Sequence, residues 1–121
     1  MFTERRSGRH DHLRARRGAA ASRWAGTGGA PLCDLDPAGV SGQAARYHEG
    51  EVAALSEAMR IVAAAGPVDA IPLLQQAFAQ WTHRANSLSA SPTQAWRVYH
   101  EGGRDALEAF LEAERRDLRA R

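Results

Sequence analysis

Two histidines sit in identical local surroundings. Tyr47-His48-Glu49-Gly50 and Tyr99-His100-Glu101-Gly102 are each followed, after three intervening residues, by Ala-Leu at 54–55 and 106–107. The pattern YHEGxxxAL therefore occurs twice, 52 residues apart. Imidazole moves protons near neutral pH and is a common metal ligand. Two imidazoles facing one another could begin an acid–base or metal site, with His48 and His100 as its candidate metal ligands and a carboxylate or His83 as further donors. The spacing does not supply a full shell. Zinc wants three or four converging ligands. A di-iron site in a bundle wants several inward Glu and a Glu-x-x-His pair. Adjacent His and Glu on a helix point about 100° apart. The competing reading is packing: Tyr and His fill one end of a helical bundle while Gly50 and Gly102 let two helices close.

Other chemistry is weaker. Cys33 is the single cysteine, so no intrachain disulfide can form. It has no helix N-terminus or fixed base to activate it. Ser87, Ser89 and Ser91 read as loop and cap residues. Gly26-Thr27-Gly28-Gly29 lacks the lysine of a phosphate loop. Trp81, Trp96 and Phe78 read as core. No catalytic residue and no cofactor is assigned, and the chain does not read as an enzyme.

The elements that must position the repeat are helices. Val52, Leu55, Met59 and Val62 form one stripe of a helix expected over about 42–65, ended by Gly66-Pro67. Ile71, Leu74, Phe78, Trp81, Ala85 and Leu88 step by three and four in a second helix, about 70–88, with Asp69 as its cap. This densest apolar seam is expected at the centre. Ser91-Pro92-Thr93-Gln94 reads as a capping box opening a third helix, about 92–118. Trp96, Tyr99, Gly103, Ala106 and Phe110 line its inner face. Gly102-Gly103 would cost about 2 kcal/mol in a helix interior unless packing offsets it, and one continuous helix is expected. Short connections make neighbours antiparallel. The expected fold is all-α: an up-down-up bundle of about three helices over 41–121, preceded by a basic arm. In such a bundle the first and third helices are parallel, so both YHEG copies lie near one end with both histidines inward.

Residues 1–40 differ in composition. Seven arginines face four acids, and large apolar residues are isolated. Such a segment buries too little to offset its ordering entropy, so a disordered arm is expected. Arg5, Arg6, Arg9, Arg14, Arg16 and Arg17 could contact nucleic acid. However, all 16 basic residues of the chain are arginine, a bias expected of a GC-rich bacterial genome rather than of phosphate binding.

At 121 residues the chain makes one domain with a small core. It contains neither a secretory signal nor an apolar run long enough for a membrane span, so a cytoplasmic protein without a membrane partner is expected. The resulting expectation is a small interaction or regulatory module that binds a protein partner or a second copy of itself, through outer residues such as Ile61, Leu73, Leu111 and Leu118. Nucleic-acid binding through the arm and metal binding by the bundle are the alternatives.

Overall fold

Four helices follow one another: α1 (Phe2–Gly26), α2 (Val40–Ala65), α3 (Ile71–Ser87) and α4 (Gln94–Ala120). The computed structural model describes residues 2–27, 40–87 and 94–120, and no strand occurs among them. The turn between α2 and α3 follows from its residue types. Gly66 takes a left-handed φ of 61°, which suits a residue without Cβ. Pro67 cannot extend the helical ladder. The Val68 N–H returns to the Ala65 carbonyl at 3.1 Å, and Asp69 Oδ1 accepts from the Ile71 N–H at 3.1 Å. The last three helices match their predicted spans to within about two residues. Cys33 and the predicted cap at Ser91, Pro92 and Thr93 lie outside the described residues.

The predicted count of three helices is corrected to four. Phe2–Gly26, part of the expected disordered arm, forms α1 and packs on α2. Leu13 and Ala20 are fully buried. Long charged side chains complete the docking. Arg9 donates to Asp69 at 3.0 Å and to Glu114 at 3.1 Å. Arg16 donates to His12 Nε2 at 2.8 Å, and the His12 ring lies 4.9 Å from that of Phe110. Counting large apolar residues misjudges such a helix. A face of Leu and Ala can lie so close to its neighbour that few big side chains are needed.

Helix directions follow from these contacts. Arg9, near the start of α1, reaches both Asp69, just beyond α2, and Glu114, late in α4. The C-terminal ends of α2 and α4 therefore lie together, and the two helices run parallel. Arg23, late in α1, reaches Glu51 in the first half of α2, so α1 is antiparallel to α2. Trp81, late in α3, meets Tyr99 early in α4, so α3 is antiparallel to α4. The bundle is two helical hairpins, α1–α2 and α3–α4, joined chiefly through α2 and α4.

The centre is also corrected. Helix α3 packs on α4 and only lightly on α2, whereas the α2–α4 pair is the most extensive contact. Apolar density favours burial, but central position goes to helices whose backbones approach closest. Gly50, Ala54 and Ala58 on α2 and Gly102 and Ala106 on α4 are all buried. No helix among the described residues is long and apolar enough to cross a membrane.

A disordered arm would tolerate truncation of Leu13. Packed as it is, Leu13→Ala should lower unfolding free energy by about 2–5 kcal/mol, read from urea denaturation of the full chain.

Candidate functional site

The two YHEG copies meet each other. A Cβ built on Gly50 would overlap the carbonyl oxygen of Tyr99, and one built on Gly102 would overlap the carbonyl oxygen of Tyr47. Each glycine thus lies against the tyrosine of the other copy, three residues before that copy's own glycine. The arrangement has an approximate two-fold relation between α2 and α4. Absent side chains permit this approach, as in the small-residue crossings of membrane helices, and it brings Cα–H groups against carbonyl oxygens. The Ala-Leu extension completes the contact: Ala54, Leu55, Ala106 and Leu107 are all buried.

The histidines lie beside this crossing with different partners. His48 Nδ1 donates to Glu51 on its own helix at 2.7 Å. Glu51 is buried and also accepts from Arg23 at 3.3 and 3.4 Å, which ties α1 to α2. In the second copy the position corresponding to Glu51 is Gly103. A Cβ there would run into the six-membered ring of Trp81, so this glycine admits the indole. His100 lacks a carboxylate one turn ahead. Its Nδ1 instead donates backwards to the Trp96 carbonyl at 2.8 Å. Its ring lies among those of Trp81, Trp96 and Tyr99, with centroids 5.3, 6.4 and 5.2 Å away. Trp81 Nε1 donates to Glu57 of α2 at 2.9 Å. Trp96 is 48% exposed and forms the open edge of this aromatic group.

The tyrosines also differ. Tyr47 OH donates to Asp105 at 2.6 Å across the crossing, and Asp105 accepts from Arg104 at 2.9 Å. Burial, together with the Asp105 carboxylate, pushes the Tyr47 hydroxyl far above the ordinary tyrosine range. Burial raises Tyr99 as well, aided by the charges of Glu49 and Glu57. Glu49 is raised by burial, against the pull of Arg46. Glu101 lies near Arg97 and Arg104, at 3.6 and 4.0 Å.

The structure therefore gathers the repeat at one level but gives His48 and His100 separate partners. Among the described residues no hydrogen bond or ring contact joins them, and no three His, Cys, Asp or Glu converge as a metal shell would require. His83 is exposed. Of the arginines assigned to a nucleic-acid arm, Arg9 bonds Asp69 and Glu114 across the bundle, and Arg16 bonds His12 on its own helix. Arg14 is exposed and Arg17 partly so, and Arg5 and Arg6 have no described side chains. Sequence reasoning missed Glu51, Asp105 and Arg23. The one available signal was the difference between the copies at 51 and 103, where an acid replaces a glycine.

Comparison with protein-family models, curated proteins and solved structures finds no match to this chain.

Two outcomes test the site. Alanine normally stabilises a helix by about 1 kcal/mol over glycine. At Gly50 and Gly102 overpacking should reverse that sign, so that Gly50→Ala and Gly102→Ala each destabilise by about 1–3 kcal/mol in thermal or urea melts. Tyr47 and Tyr99 are the only tyrosines, and both hydroxyls are raised. Their stabilisation is complete below the unfolded value of about 10 and is lost as pH rises through the higher folded values. Tyrosinate absorbance of the native protein should therefore emerge at higher pH than that of the denatured chain. Coincident titration curves would contradict the Tyr47–Asp105 geometry.

Proposed function

We propose that the protein is a helical interaction module that docks a protein partner in the cleft between α2 and α3. The cleft carries this reading. These helices are linked by a short turn yet touch only lightly, leaving a cleft of about 290 Å³. Ile61, Ala64, Ala65, Leu73 and Ala77 give it an apolar lining, and Glu57, Gln76 and Gln80 add polar groups. Leu73 is 41% exposed, and Val68, in the adjoining turn, 66%. An apolar trough between two helices suits the apolar face of a partner's amphipathic helix, anchored by one or two large side chains. Ile61 and Leu73 thus belong to one surface. Leu111 packs partly against the core, and Leu118 is exposed near the end of α4. On this reading the YHEG pair sets the α2–α4 spacing and has a packing role.

Because Leu73 is exposed, Leu73→Glu should leave stability within about 0.5 kcal/mol. It should also abolish retention of the partner that the wild-type protein recovers from extracts of its native host, with the bound protein identified by mass spectrometry. Full retention by both Leu73→Glu and Ile61→Glu would remove the cleft as the docking face.

A further inference from the structure

The contacts that build the bundle have an unusual distribution along the chain. Within each hairpin, α1 packs on α2 and α3 packs on α4. Between hairpins lie the Gly50–Tyr99 and Gly102–Tyr47 crossings, Tyr47–Asp105, Arg9–Glu114, His12–Phe110 and Trp81–Glu57. None of these requires that the two hairpins belong to the same molecule. The covalent link between them is the turn over residues 66–70. The helices it joins barely touch, so opening the turn breaks little that is local. The turn closes through Gly66, the only described residue with a positive φ. It is held by the Val68–Ala65 backbone bond and by the exposed Arg9–Asp69 contact.

We propose that this chain forms a hairpin-exchanged dimer. The α3–α4 hairpin of one copy docks on the α1–α2 hairpin of a second copy through the same paired YHEG crossing, with residues 66–70 as the hinge. Closed monomer and exchanged dimer make the same α2–α4 contacts. Their balance is therefore set by the hinge and by concentration. A short linker gives an effective concentration in the millimolar range, so the wild-type monomer dominates in dilute solution and the dimer grows in as that range is approached. Strain in the closed hinge shifts the balance towards exchange. A Cβ at Gly66 disfavours its left-handed conformation by about tenfold. Two hinges are relieved per dimer, so Gly66→Ala should strengthen dimerisation by about 100-fold. The inference does not rest on partner binding in the cleft, which persists in the exchanged form between α2 of one copy and α3 of the other.

The test uses four variants of the whole chain in size-exclusion chromatography with light scattering over a wide concentration series. Gly66→Ala should move the monomer–dimer midpoint about 100-fold lower. Deleting Pro67 and Val68, which shortens the hinge, should give dimer throughout. Inserting six Gly and Ser residues between Pro67 and Val68 should give monomer throughout. Leu73→Glu should leave the midpoint where it is. Mixed light and isotope-labelled Gly66→Ala dimers should exchange subunits only slowly in native mass spectrometry, because exchange requires the α2–α4 crossing to part. Monomer for both Gly66→Ala and the deletion, a midpoint insensitive to hinge length, or mixing complete within the time of handling would each overturn the proposal. Loss of dimer in Leu73→Glu would instead assign self-association to the cleft and also overturn exchange. Loss of partner retention with an unchanged dimer midpoint would bear on the cleft alone.

Discussion

The structure depends on one backbone contact. Helices α2 and α4 approach until Gly50 lies on the Tyr99 carbonyl and Gly102 on the Tyr47 carbonyl. Nothing larger than hydrogen fits at either glycine. This contact places the two parallel helices at the centre and sends α1 and α3 to the flanks. It also explains how a chain with few large apolar side chains builds a core. Glycine and alanine faces trade side-chain volume for closeness, and close packing restores the dispersion contacts that small residues would otherwise lack. The glycines that would weaken an isolated helix are the residues that this one requires. Gly103 acts in the same way at a second interface, where it receives the Trp81 ring.

Around that near-symmetric contact the chemistry is asymmetric, and a single difference accounts for much of it. With Glu51 in the first copy, His48 has a carboxylate one turn ahead, and Arg23 of α1 is drawn to the same acid. With Gly103 in the second, an indole enters and His100 joins an aromatic group. One hairpin is thus tied internally by charge and the other by rings. A free carboxylate and an imidazole in the same pocket would invite a catalytic reading. Here the acid already holds both a histidine and an arginine, and the second imidazole bonds the backbone of its own helix.

The two-hairpin organisation bears on how the molecule meets others. Because each outer helix leans on one inner helix, the face between α2 and α3 is left open and apolar. The same light contact leaves the link between hairpins held mainly by the left-handed glycine, the Val68–Ala65 backbone bond and the Arg9 grip on Asp69. Partner docking and hairpin exchange are distinct consequences of this one economy of contact, and they respond to different residues: Leu73 for the first, Gly66 for the second.

Much of the architecture was legible in the chain. Apolar spacing of three and four, Gly66-Pro67 as a stop and Asp69 as a start locate helices because these signals act within a few residues of backbone. The parallel relation of the two YHEG copies also followed, because short connections force alternation and the repeat's offset places both near one end. Local signals misjudged α1, whose few apolar residues look insufficient until packing on α2 buries Leu13 and Ala20. They also put the apolar-rich α3 at the centre, a place that belongs to the helices with the least bulk at their contact. Periodicity turns both histidines inward, whereas both are only partly buried, and their partners depend on side chains up to one helix away, Glu51 and Trp96 on their own helices and Trp81 on another. Sequence by itself determined where α2, α3 and α4 run and that a repeated motif would lie at one level. Tertiary structure alone decided which faces met, because the distance of closest approach belongs to a pair of surfaces and is written in neither helix by itself.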